Sequence, residues 1–117
     1  MTTYNPPNYQ NNPAAAIPVY ITSGSNQTPY QFTPLGYVQI TNLSSAVGLG
    51  SIPTGATVAF LSCEGSELRY RDDGTAPTTA VGMPLYAGQT MEYSGTLSAI
   101  QFIQASSGGI LNVAYYK

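Results

Sequence analysis

From Leu35 onward, apolar and polar side chains alternate along the chain with a period of two, the spacing of strands that bury one face. Leu111, Val113 and Tyr115 oppose Asn112, Ala114 and Tyr116, and Met91 and Tyr93 oppose Thr90 and Glu92. Within Glu67 to Arg71, Leu68 and Tyr70 face one way and Arg69 and Arg71 the other. Tyr37 to Thr41 predicts a further strand, and so does Thr57 to Ser62, with Val58 and Phe60 on one side and Ala59 and Leu61 on the other. Ile100 and Phe102 against Gln101 and Ile103 predict another. No segment sustains the apolar period of about 3.6 that a helix requires. At most one helical turn is expected, around Leu97 to Ile100.

Turn signals separate these strands at short intervals: Pro53-Thr54-Gly55, Glu64-Gly65-Ser66, Asp72-Asp73-Gly74, Ala87-Gly88, Ser94-Gly95 and Ser107-Gly108-Gly109. Each places a glycine where a positive φ carries little steric cost. Short strands with frequent turns indicate an all-β fold, an antiparallel β-sandwich or barrel such as a jelly roll. With 117 residues the chain holds one such domain.

Upstream of Leu35 the pattern changes. Pro6, Pro7, Pro13, Pro18, Pro29 and Pro34 interrupt an Asn- and Gln-rich stretch, and each proline removes a backbone donor and disfavours helix in the residue before it. The expectation is an extended N-terminal arm over Met1 to Pro34 and a β domain over Leu35 to Lys117, with a short edge strand at Ala16 to Ile21. Tyr4, Tyr9, Tyr20 and Tyr30 are spaced along the arm. Such composition suits a flexible tail, but tyrosine carries large contact area at low entropic cost, which favours an arm laid on neighbouring protein. These four are expected interface residues.

Composition then removes function classes. Only 7 % of residues are charged, and the net charge is −2 from three basic and five acidic side chains, so the clustered cations that bind phosphate backbones are missing. No nucleic-acid partner is expected. The chain has no His, the usual general base and metal ligand near neutral pH. The single Cys63 reads as a small buried hydrophobe at a strand end rather than a nucleophile, and it says nothing firm about redox compartment. Neither a signal peptide nor a membrane span is expected, since Met1 to Gln10 lacks basic and apolar regions and the longest apolar run, Ala14 to Ile21, contains Pro18.

Charge is concentrated rather than dispersed. No Asp, Glu, Lys or Arg occurs before Glu64; Glu64, Glu67, Arg69, Arg71, Asp72 and Asp73 then follow closely, and only Glu92 and Lys117 lie elsewhere. Asp72 or Asp73 with Glu92 could form a glycosidase-like carboxylate pair, yet a hairpin turn at Asp72-Asp73-Gly74 whose Asp caps its own backbone, and an outward strand residue at Glu92, explain them more simply. Clustered carboxylates also suggest calcium, but the spacing matches no EF-hand and the two arginines oppose a cation. No catalytic residue, metal or cofactor is expected. Glu67, Arg69, Arg71, Asp72 and Asp73 are instead expected to pair across a hairpin or a subunit contact, where Arg meets carboxylate in fork geometry.

The stretch Leu68-Arg69-Tyr70-Arg71-Asp72-Asp73-Gly74-Thr75-Ala76-Pro77-Thr78, followed by Gly82-Met83-Pro84-Leu85, Ala87-Gly88, Glu92-Tyr93-Ser94-Gly95 and Leu97-Ser98-Ala99-Ile100-Gln101-Phe102-Ile103, resembles a C-terminal segment of small structural proteins of tailed bacteriophages. The resemblance covers under half of the chain and does not include the arm. It implies a compact β domain in a virion, most similar to capsid decoration or cement proteins that form homo-oligomers, dimers or trimers, over a major capsid protein or another virion protein. The expected location is the capsid surface after synthesis in the host cytoplasm. A carbohydrate- or receptor-binding module of a head fibre or tail is the alternative.

Overall fold

The computed structural model describes residues 31–117. Tyr4, Tyr9, Tyr20, Tyr30 and the edge strand expected at Ala16 to Ile21 lie outside them. Among the described residues there is no helix, and eight strands form two antiparallel sheets of four. The strands are β1 (Pro34–Ile40), β2 (Val47–Gly48), β3 (Val58–Glu64), β4 (Leu68–Arg71), β5 (Met83–Leu85), β6 (Thr90–Tyr93), β7 (Gln101–Gln104) and β8 (Ile110–Tyr116). The first sheet has the order β1-β8-β3-β6 and the second β2-β7-β4-β5.

The clearest alternation of the sequence sits at the centre of the first sheet. In β8, Leu111, Val113 and Tyr115 are buried while Ile110, Asn112, Ala114 and Tyr116 are only half-buried. Ala59, Leu61 and Cys63 of β3 point the same way as the buried row of β8, because the register pairs Ala59 with Tyr115, Leu61 with Val113 and Cys63 with Leu111. Leu68, Leu85 and Phe102 of the second sheet join them in one hydrophobic cluster, completed by Leu43, Leu49, Leu97 and Ile100 from the connections. The Tyr115 hydroxyl donates to the Leu49 carbonyl at 3.3 Å, so the one polar atom of this large side chain is satisfied.

Several expectations change in detail. Thr33 exchanges two backbone hydrogen bonds with Lys117, at 2.8 and 3.0 Å, and β1 begins at Pro34, a position a proline tolerates because a strand's first residue need not donate. A register shift between Pro34 and Gly36 follows, leaving Gly36–Ile40 regular. Strands β2 and β5 are additional to those the alternation predicts: one is two residues long, and the other contains Pro84 and pairs only with β4. Leu97 to Ile100 forms a hydrogen-bonded turn, with Ala99 N donating to Thr96 O at 2.9 Å, and not a helix. Asp72-Asp73-Gly74 opens the long 72–82 connection between β4 and β5 instead of closing a tight hairpin. Gly95 lacks a positive φ, unlike Gly55, Gly65, Gly74, Gly88 and Gly108, and is required for space: a β-carbon there would collide with the Tyr93 ring.

Candidate functional site

The first sheet turns its second row of side chains away from the hydrophobic cluster. Register sets these residues in ranks across the four strands: Gln39, Asn112, Ser62 and Thr90 in one, and Tyr37, Ala114, Phe60 and Glu92 in the next. Ala114 is the smallest side chain of its rank and stands between Tyr37 and Phe60. A hollow of about 620 Å³ opens over it, walled by Tyr37 on one side and by Phe60, Met91 and Glu92 on the other. Its size falls in the range of small-molecule and peptide-anchor sites, about 300 to 1,000 Å³.

An amide network borders the hollow on one side. Asn112 Oδ1 accepts from the Tyr37 hydroxyl at 2.6 Å and from Gln39 Nε2 at 3.0 Å, while its Nδ2 donates to Ser62 Oγ at 3.2 Å and to Glu64 Oε2 at 2.6 Å. One side chain therefore ties together β1, β8 and β3 on their outward face. Tyr37 stays 64 % exposed while its hydroxyl is held, so an aromatic face is fixed in orientation and presented to solvent. On the other side Phe32, Phe60 and Tyr116 pack edge to face, with ring centroids 5.1 to 6.0 Å apart. Glu64 and Glu92 are the acidic side chains of this face, and both are exposed.

The five charged residues expected at an interface do not converge on this face. Arg69 lies on β4 of the second sheet with Glu67 just before the strand, and Arg69 Nε lies 2.8 Å from Glu67 Oε2. That contact is off the N–H direction, so it is an ion pair without a directed hydrogen bond. The same guanidinium reaches the Gly82 and Ala80 carbonyls at 3.3 and 3.4 Å. Arg71 grips Asp73 in the fork geometry the sequence suggested, Nε to Oδ1 at 3.0 Å and Nη2 to Oδ2 at 2.6 Å. Hydrogen bonding to Arg71 holds the Asp73 carboxyl below its ordinary value of 3.8. Both pairs join residues two apart within one chain; the Arg71–Asp73 pair is partly exposed, whereas the facing Arg69 Nε and Glu67 Oε2 atoms are themselves buried.

Asp72 is used differently. Its Oδ2 accepts from the Tyr93 hydroxyl at 2.8 Å, linking the end of β4 to the end of β6 and thus one sheet to the other. Burial, first, and the Asp72 carboxylate push the Tyr93 phenol up to about 12. With Asp73 held by Arg71 and Asp72 by Tyr93, neither turn carboxylate is left as a partner for Glu92, which stands on the outward face of β6. Among the described residues no three Cys, Asp or Glu side chains gather as a metal site. Cys63 is 1 % exposed, donates to the Ser66 carbonyl at 3.1 Å, and has its thiol pushed up by burial.

The outward hollow is the feature that reading of the sequence missed. Alternation marked Asn112, Ala114 and Tyr116 as one row, but nothing local marked that row as the one turned away from the core. Comparison with protein-family models, with curated proteins and with solved structures gives no match for this chain.

Proposed function

We propose that this chain is a non-enzymatic virion structural protein, a capsid decoration or cement protein that binds across subunits of a major capsid protein and stabilises the shell. The observation that carries the reading is the outward face of the first sheet: an aromatic cluster, a hollow and an amide network with two carboxylates and no cation among their side chains. Such a face gains its free energy from burial of area and from directed neutral hydrogen bonds, the terms that dominate the centre of protein interfaces. It needs no turnover.

We further read the two sheets as a jelly-roll sandwich. Strand order supports this: β1 pairs with β8, β3 with β6 and β4 with β5, while β2 pairs with β7, as in one long antiparallel ribbon rolled on itself. Pairing of β3 with β8 and of β4 with β7 then closes the two sheets. Jelly rolls of eight strands serve as viral capsid domains and as lectins.

The lectin use is the second reading, favoured by the exposed, hydroxyl-anchored ring of Tyr37 beside the amides of Gln39 and Asn112, a platform suited to a neutral sugar ring. It would place the chain on a head fibre or tail. The deciding experiment adds the purified full chain to particles that lack it, followed by image reconstruction. Even decoration of the shell is expected; density confined to fibres or tail, with binding on a glycan array, would replace the first reading by the second.

A further inference from the structure

We infer that β1 is a self-association edge, pairing antiparallel with β1 of a second copy of this chain so that the two first sheets become one continuous sheet across a twofold axis. Among the described residues the two sheets have four edges, β1, β6, β2 and β5, and they are not alike. A free edge presents unpaired N–H and C=O groups to any other strand, and stable monomers blunt it by shortness, proline or charge. β2 is two residues long. β5 is three residues long and its middle residue is Pro84, which has no N–H to offer. β6 has four residues and carries the exposed carboxylate of Glu92. β1 has seven residues, no charged side chain, and its only proline at the first position.

The one device on β1 is the register shift near its start, and that leaves Gly36–Ile40 regular against β8. A regular neutral edge is complementary to itself, because antiparallel strands exchange hydrogen bonds symmetrically about a twofold axis and no like charges oppose each other. Pairing centred on Val38 uses this regular stretch. It sets each Tyr37 opposite Gln39 of the second copy on the outward face and extends the amide network at Asn112 across the seam. The two hollows, each walled by its own Tyr37, then lie on either side of the axis. This pairing does not depend on the virion reading, since it would hold for the chain alone in solution.

Sedimentation equilibrium of the full chain tests it. The expected mass is twice the 12.3 kDa of one chain, falling to 12.3 kDa in the double variant Tyr37→Lys/Gln39→Lys, which sets ammonium groups against each other across the seam. Hydrogen exchange of the unaltered protein supplies a measurement that needs no variant: the outward amides of Gly36–Ile40 should lose protection on dilution while those of β8 keep theirs. A wild-type chain that remains at 12.3 kDa at the highest soluble concentration overturns the inference. So does a dimer whose β1 amides exchange at the same rate at every concentration. Failure here would leave particle binding untouched, and failure of particle binding would leave the dimer intact.

Discussion

A β-carbon at Gly65 would run into the carbonyl oxygen of Gly108, and the backbone there has φ +80°, so both space and conformation demand glycine. The contact locks the turn after β3 to the turn before β8, where Ser66 Oγ also donates to the Ser106 carbonyl at 2.9 Å. Gly65→Ala is expected to cost about 3 kcal/mol, combining a strained φ with displacement of the facing turn. Urea unfolding measures it. Titration offers a second test, because the folded chain keeps protons that the unfolded chain releases. The Cys63 thiol is raised above 9.0 and the Tyr115 phenol above 10.0 by burial, and Tyr93 is raised to about 12 by burial and Asp72. In each case the folded value exceeds the unfolded one, so the stabilisation is complete below the unfolded value and is lost as pH rises through the folded one. Stability is therefore expected to hold up to about pH 9 and to decline above it, and Tyr93→Phe should flatten the part of the slope between pH 10.0 and about 12.

At the scale of elements, β4 shows how charges two residues apart can pair within one strand and its flanks. Alternation set Leu68 and Tyr70 on one side and Arg69 and Arg71 on the other, and the second sheet has that arrangement, with Tyr70 packed at 5.6 Å from Phe102. The charges around it were expected to act together, across a hairpin or between subunits, but two-residue spacing lets each arginine find a carboxylate beside it. An exposed pair such as Arg71–Asp73 adds little stability, since water solvates the separated ions well and ordering two side chains has an entropic cost. Asp73→Asn should leave the thermal midpoint nearly unchanged, in low and in high salt alike, whereas Glu67→Gln, which takes the counter-charge from the buried Arg69 Nε, should lower it. A fall with Asp73→Asn would mean that its pair is more deeply desolvated than its exposure indicates.

For the whole molecule, the division of labour between the two faces of the first sheet is what matters. The inward row of β8 belongs to the hydrophobic cluster, where truncation costs stability. The outward row is free to serve binding. Ala114 is the sensitive point, because its small side chain is the floor of the hollow between Tyr37 and Phe60. Ala114→Arg fills that hollow from an outward position and should leave the unfolding midpoint close to wild type. On the proposed function, shell binding, read by co-sedimentation with particles, should weaken about 100-fold, the loss expected when one central interface anchor is blocked. A variant that binds normally would remove the hollow from the mechanism.

Much of this architecture was written locally. Period-two alternation located β1, β3, β4, β6, β7 and β8, and glycine in Pro53-Thr54-Gly55, Glu64-Gly65-Ser66 and Ala87-Gly88 marked turns that have positive φ, because these preferences act within a few residues. β2 and β5 were illegible, since so short a strand is defined by the partner it bonds and not by its own composition. The outward face was illegible for a related reason. Tyr115 and Tyr116 are the same residue one step apart, yet one is 2 % exposed in the core and the other packs on the outward aromatic cluster. Only long-range register, β8 between β1 and β3 with the second sheet contributing to the cluster on one side, decides which row is covered; the sequence by itself determined that two rows exist.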